Sequence, residues 1–390
     1  MQTFFWIMVA VIVYTYLGYG LLLLCLRWLY QLFSRKTNNN GPVADWPELT
    51  IVIAAYNEAT VIQQKLDNCF ALRYPAGKKH IICVTDGSTD GTDRLVALYP
   101  EVQLLHQPER RGKAAAINRA MLQVQTGLVV CTDANTLLNE TALEALAAGF
   151  RDERIGAVAG EKQVLPLRSA PAASVESIYW QYESLLKKED ARLHSVMGAA
   201  GELYAIRTRL FTALPEDTIC DDLRITMHIV RLGYRIGYTP LAISREYASG
   251  TVVGEYQRKL RIGVGNIQSL AWLPFTGSLI FTWQLLSRKL LRWLVVPYLL
   301  MPAWLLNGWL LAQPGSSNGC LLGIFLLQTG WYLWALLGWC CRSIRSLPGI
   351  FFLPFYFCLA NLAMIHALLR YWRKSQSVNW TKIPREGLVE

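Results

Sequence analysis

The sequence predicts an α/β fold, a parallel sheet covered by helices, carried in an aqueous domain between membrane-spanning helices. Two observations predict it. Charge is segregated: composition is ordinarily soluble between roughly residues 34 and 260, whereas three long stretches outside it carry no charge. Within the charged region, short β-rich apolar runs alternate with segments of helical period, the pattern of strands joined by crossover helices.

The first element is the uncharged run from Met1 to Leu26. It is long enough for one span, since about 20 apolar residues cross a bilayer. A cleaved signal peptide is the competing reading, but the run lacks a basic n-region and a clear small-x-small cleavage site, and its cations Arg27, Arg35 and Lys36 follow it. It reads as a permanent anchor. Positive charge marks the inner side of a membrane, so the N-terminus is expected outside and the aqueous domain in the cytosol. The polar "RKTNNNGPVADWP", residues 35–47, reads as a linker.

The aqueous domain then runs strand, helix, strand. "TIVIAA" (50–55) precedes a helical pattern from Glu58 to Leu72, and "HIICVT" (80–85) precedes one from Thr92 to Tyr99. "VQLLH" (102–106), a helix from about Gly112 to Val124, and "GLVVCT" (127–132) follow. In such sheets, ligands bind where loops leave the carboxyl ends of the strands. The polar residues concentrate there: "YNE" (56–58), "DGSTDGT" (86–92) and "DAN" (133–135). Farther on, the uncharged Ile262 to Ser287 reads as interfacial rather than spanning. Trp293 to Cys341 is long enough for two spans around the turn-like "QPGSSNG" (313–319), and Ser346 to Leu369 for one. Four spans place "RSIR" (342–345) inside and the basic C-terminal tail outside, the latter against the positive-inside tendency.

The net charge of +10 raises a nucleic-acid reading, but no basic, aromatic-interleaved strand or recognition helix stands out. A domain lying against anionic lipid, with basic runs such as "SRKLLR" (287–292) beside the spans, accounts for it. Nine cysteines without metal-type spacing suit reduced thiols in the cytosol, and the five scattered histidines read as structural.

Each polar loop has an ordinary structural explanation. Asp86, Gly87, Ser88 and Asp90 are what a tight turn into a helix cap requires. Three such loops at one sheet edge point to a site. Asp133 and Asn135 offer two oxygen ligands separated by a small residue, a set able to hold a hard divalent cation that takes the rest of its shell from water and a diphosphate. Asp221 and Asp222 open the helical pattern "LRITMHIVRLG", where acids suit the helix N-terminus. A carboxylate there is also able to take a proton from an attacking hydroxyl.

"IVIAAYNE", "VTDGSTDGT", "RRGKAAAINRA", "CTDANT", "GAAGELYAIR", "CDDL" and "YQRKLRI" resemble, in order and approximate spacing, the motifs of membrane-bound family 2 glycosyltransferases, the group of cellulose, chitin and hyaluronan synthases. The resemblance covers roughly residues 45 to 292, and the tail "SVNWTKIPRE" resembles related bacterial members. It implies a GT-A (Rossmann-like) domain that uses a nucleotide-sugar donor, usually a UDP-sugar, with Mg or Mn, and inverts the anomeric carbon. Carried over, Tyr56, Glu58 and Asp86 would hold the uridine, and Lys113 would lie near the diphosphate. Asp133 would be the first carboxylate of the DxD motif. Asn135 stands in place of the second, a departure that removes a charge. Asp222 would be the base, with Asp221 left to the cap. Gly201 and Glu202 belong to the acceptor-side motif. Gln257, Arg258 and Arg261 match the Q/RxxRW motif that stabilises the leaving diphosphate, and Ile262 replaces its tryptophan.

The expected protein is therefore an inverting membrane glycosyltransferase of the inner cell membrane, its catalytic domain cytoplasmic, building a cell-surface glycan or polysaccharide. One addition to a lipid-linked acceptor is the alternative within the class. A non-catalytic nucleotide-binding sensor or transport component is the alternative outside it. Expected partners are the donor, a glycan or lipid-linked acceptor, membrane lipids and an oligomer or export partner, with no nucleic acid. The expected divisions are an anchor at 1–33, the GT-A domain at 34–250, interfacial helices at 251–288, three spans at 289–372 and a basic tail at 373–390. Without the tryptophan at 262, weak processivity is expected unless another aromatic, such as Trp272, supports the acceptor.

Overall fold

The computed structural model describes residues 1–33, 45–165, 172–247, 251–275, 278–314, 318–342, 344 and 347–377. Most of the linker, part of the turn at 313–319 and nearly all of the tail lie outside the described residues.

A first apolar helix, α1 (Gln2–Leu29), leads to the sheet. Strand β1 (Leu49–Ala55) is followed by α2 (Ile62–Ala71), β2 (Lys79–Asp86), α3 (Thr92–Val96), β3 (Val102–Gln107), α4 (Lys113–Met121) and β4 (Leu128–Asp133). Next come β5 (Leu137–Leu138), α5 (Ala142–Ala148), β6 (Ile155–Leu165), α6 (Ala172–Leu193), β7 (Leu203–Arg207), α7 (Asp221–Arg231) and β8 (Arg235–Tyr247). Helix α8 (Val252–Ser269) precedes three further apolar helices, α9 (Leu279–Leu311), α10 (Gly319–Cys340) and α11 (Gly349–Trp372). By length and composition, α1, α9, α10 and α11 can each cross a bilayer.

The sheet order is β3-β2-β1-β4-β7-β6-β8-β5. β1 pairs in parallel with β2 and β4, and β2 with β3, as the alternation predicts. The rest of the sheet is mixed, because β7 runs antiparallel to both β4 and β6. That reversal positions the site. Pairing Thr132 with Leu203 brings the start of β7, and with it Gly201 and Glu202, to the edge where β4 ends. The register of Ala54 with Asp133 and Ala55 with Thr85 sets the loops after β1, β2 and β4 side by side on that edge.

The two-residue period of β1 divides the core. Leu49, Ile51 and Ile53 pack with Ile62 and Leu66 of α2 and Leu143 and Leu146 of α5. Val52 faces the opposite layer, with Ala116 and Ile117 of α4 and Leu223 and Ile225 of α7. Burying each large aliphatic side chain contributes about 1.5–3 kcal/mol. Lys79 Nζ donates to the carbonyls of Cys69, Phe70 and Leu72 at 2.9 Å, supplying partners for the last turn of α2.

Ion pairs, buried at Arg288 and partly exposed at Arg27, fasten the aqueous domain to the spans. Arg288 of α9 pairs with Glu183 and Asp190 of α6, and Arg292 reaches Glu183 at 3.2 Å. The "SRKLLR" run thus places two arginines against carboxylates, where the sequence pointed to lipid. Arg27 of α1 pairs with Glu189 at 2.9 Å. Four of the histidines bond hydroxyls: His106 to Thr85, His194 to Ser278, His228 to Thr212 and His366 to Tyr256. All nine cysteines are unpaired.

Candidate active site

Asn57 takes a left-handed φ of 55° after β1, and its loop is bonded to the one after β2. The Asn57 N–H donates to Ser88 Oγ (3.1 Å), Glu58 N–H to Thr92 Oγ1 (2.9 Å) and Ala59 N–H to Asp90 Oδ2 (3.0 Å). Thr89 N–H donates back to Asn57 Oδ1 (2.8 Å). Loop construction therefore accounts for Ser88, Asp90 and Thr92. Gly87 has φ 69°, and a Cβ there would lie 2.7 Å from the Arg110 backbone nitrogen, so the approach of these two loops excludes a side chain.

Asp86 is 1% exposed, and its carboxylate accepts from the N–H groups of Gly112 (2.7 Å) and Arg111 (3.1 Å) and from the Arg119 guanidinium (3.2 Å). It is a fixed anion that shapes the loop carrying Arg110 and Lys113. The Arg110 guanidinium lies 3.5 Å from the Tyr56 ring centroid, a planar cation on an aromatic face.

Lys113 opens α4 and points at the acids. Its Nζ donates to Asp133 Oδ1 at 2.8 Å and lies 3.5 Å from Asp221 Oδ2. Burial alone would lower its pKa, but Asp133 and Asp221 outweigh burial and hold the ammonium above the usual lysine range. Asp221 Oδ2 is sealed from solvent without a hydrogen-bond partner, so Lys113 supplies its charge compensation. A Cβ at Gly201 would lie 3.4 Å from Lys113 Nζ and 3.6 Å from Asp222 Oδ2. The bare glycine backbone is thus the surface between cation and acid.

Asp222 Oδ1 accepts from the N–H of the next residue, Leu223, at 2.8 Å in the first turn of α7, while Oδ2 lies on the Gly201 side. The N-cap is Cys220 without a side-chain bond, so Asp221 does not serve the cap as expected. Burial, and next the charge of Asp221, push the Asp222 carboxyl up to about 7. An acid so placed holds and releases a proton near neutrality.

Among the described residues, no group of three His, Cys, Asp or Glu side chains is arranged to hold a metal. The donor chemistry still fits a hard dication that completes its shell with water and diphosphate. Asp133 supplies a carboxylate, Asn135 an amide oxygen, and the unbonded Asp221 oxygen lies close to the same ammonium.

The acceptor-side residues divide. The Glu202 carbonyl accepts from Thr132 Oγ1 at 2.9 Å, and its carboxylate pairs with buried Lys162, which also pairs with Glu246. On α8, Arg258 is committed to Glu255 (3.0 Å) and Glu246 (3.8 Å), while Gln257 is exposed and Arg261 half-buried. A Cβ at Gly265 would lie 2.4 Å from Cys220 Sγ, so α8 packs hard against the residue before the acid pair. Ile262, 38% exposed, comes close through its carbonyl, 3.9 Å from Cys220 Sγ. The Trp272 ring is covered by the Arg224 guanidinium at 4.3 Å.

The model of the family described as "Glycosyl transferase family 2" matches residues 50–211, the stretch from β1 past β7. Residues 50–211 are thus similar to the domain of that family. The chain is 30% identical over 260 residues to the poly-beta-1,6-N-acetyl-D-glucosamine synthase of Staphylococcus aureus (strain COL), covering 62% of this chain and 61% of that protein. It is 26% identical over 234 residues to the synthase of the same name from Staphylococcus epidermidis, covering 57% and 55%. The match therefore spans about three fifths of the length of these curated relatives. A solved mannosyltransferase, PcManGT from Pyrobaculum calidifontis in complex with GDP-Man and Mn2+, superposes with a TM-score of 0.68 at 22% identity. The superposition covers 95% of this chain and 99% of that one. Residues 50–211 and the flanking helices share that GT-A-like fold. Arg110, Arg119 and buried Lys65 belong to the site's construction and were not singled out by motif. Lys65 carried a signal, being a lysine on the apolar stripe of Ile62, Leu66 and Cys69.

Proposed function

We propose that the chain is an inverting membrane glycosyltransferase that transfers a sugar from a nucleotide-sugar donor to a growing cell-surface polysaccharide. The arrangement of Lys113, Asp133, Asp221 and Asp222 around Gly201 carries the reading. The names of the relatives make UDP-N-acetylglucosamine the first donor to test.

Asp222 takes the proton of the acceptor hydroxyl as that oxygen bonds to the anomeric carbon and the bond to the diphosphate breaks. Lys113 keeps the acids compensated and faces the departing charge. Tyr56, with Arg110 on its face, and Glu58 form the nucleoside end, while Asp86 acts from below by fixing the loop that carries Arg110 and Lys113. Asp133 and Asn135 hold Mg or Mn, which supplies positive charge to the diphosphate when bound. Gly201, Glu202 and Ile262 line the acceptor side. Arg261 and Gln257 attend the diphosphate, and Arg258 holds α8 in place. The domain lies in the cytosol at the inner membrane with the N-terminus outside, on the positive-inside tendency, and four spans then put the basic tail outside against that tendency. The boundaries at 33, 250 and 372 divide anchor, catalytic domain, membrane-associated region and tail, and the one expected at 288 moves to Leu279, where the unbroken helix α9 begins.

The test is incubation of the purified full chain with a panel of nucleotide sugars and Mn²⁺, followed by analysis of the glycan and of released nucleoside diphosphate. Transfer from one donor supports the reading. Nucleotide binding with no transfer from any donor, acceptor glycan included, would replace it with the sensor reading.

A further inference from the structure

Lys65, in the first turn of α2, is fully buried. Its ammonium donates to Thr132 Oγ1 at 2.9 Å and to the Thr136 carbonyl at 2.7 Å. These two threonines bracket Asp133 to Asn135. Thr136 Oγ1 donates in turn to the Asp133 carbonyl (3.0 Å), and Thr132 Oγ1 to the Glu202 carbonyl (2.9 Å). One ammonium therefore ties both ends of the cation loop together and, through Thr132, ties the loop to the strand that presents Gly201. Among the described residues no carboxylate lies within ion-pair distance of Lys65. A buried charge met only by neutral oxygens is a poor contributor to stability compared with an apolar side chain of the same length. Core packing does not call for it, since its stripe neighbours Ile62, Leu66 and Cys69 are apolar and buried.

We propose that Lys65 is a positioning residue of the cation site, holding Asp133 and Asn135 preset for a metal-bound diphosphate. A loop with one carboxylate and one amide gains less Coulomb energy from the cation than a loop with two carboxylates, so less is available to organise it on binding. Lys65 does the organising beforehand. The inference rests on the metal reading above.

The experiment is titration of Mn²⁺ with and without UDP, followed by electron paramagnetic resonance, on the full chain in detergent, together with thermal unfolding. Lys65→Met keeps length and apolar stem. It is expected to unfold at or above the wild-type temperature yet bind Mn²⁺ with UDP about 10- to 100-fold more weakly, the usual cost of losing an outer partner of a metal ligand. In transfer assays the KM for Mn²⁺ should rise, with kcat largely recovered at high Mn²⁺. If Lys65→Met does not fold, Thr132→Val decides, since it removes the Oγ1 link at constant volume and should weaken Mn²⁺ with UDP in the same direction. Wild-type-like affinity in the folded variant overturns the inference alone. Absence of binding by the wild type overturns the metal reading and this inference with it.

Discussion

Asp222→Asn isolates the proposed base. The amide oxygen can still accept the Leu223 N–H bond made now at 2.8 Å, so this first-turn contact of α7 survives. The amide nitrogen replaces the oxygen on the Gly201 side and cannot take a proton. A positioned general base is worth about 10²–10⁴ in rate, or about 3–5 kcal/mol of barrier at about 1.4 kcal/mol per tenfold. The expected result is a fall of that size in kcat, with donor KM nearly unchanged because Lys113, Asp133 and Tyr56 remain. The wild type should gain activity as pH rises through about 7, where Asp222 loses its proton. Stability should move oppositely. The unfolded carboxyl ionises near 3.8 and the folded one near 7, so the folded state binds more protons between them and loses stability as pH rises through that window. Asp222→Asn removes that loss and should equal or exceed the wild-type melting temperature at pH 8. Initial rates across pH 5.5–9 with matched thermal melts make the check. Near-normal turnover by the folded variant would refute the assignment.

Chelation with EDTA should abolish transfer and Mn²⁺ should restore it, whereas full activity in EDTA would remove the metal site. Asn135→Asp restores a second charge to the loop and should tighten Mn²⁺ binding by calorimetry, an unchanged affinity showing that residue 135 is not a ligand. Ile262→Trp supplies the ring face that 262 lacks and should lengthen products in size-exclusion or gel profiles; long, uniform polymer from the wild type alone would show that the acceptor grip lies elsewhere.

The parallel half of the sheet was legible because each strand there is a short apolar run ended by polar turn residues. The mixed half was less so: β7 and β6 are apolar runs of the same kind, and nothing in "LYAIR" states that it pairs antiparallel to β4. The acids of the site could be read at loop positions, since carboxylates after a strand or at a helix start stand out. Their compensating partners could not. That Asp86 bonds the 111–112 backbone, and that Arg258 turns to Glu246, are pairings between elements with no local signature, whereas Arg258 to Glu255 is a local i,i+3 helix pair. The spans followed from charge-free length, but Arg288 and Lys289 hid the fact that α9 runs unbroken from Leu279 to Leu311. Charge argued for an interface, and ion pairing with α6 overrode it.

That pairing links the candidate site to the apolar helices. Helix α6 packs on β6 and β8, and its Trp180 lies 4.7 Å from the Nζ of Lys162, the partner of Glu202. Farther along the same helix, Glu183 and Asp190 hold Arg288 of α9, Tyr19 of α1 donates to Asp190, and Glu189 holds Arg27 at 2.9 Å. Buried ion pairs add little net stability, yet they tolerate few alternative geometries, because an unpaired buried charge is costly. One rigid helix therefore fixes the acceptor-side strand relative to two spans at once.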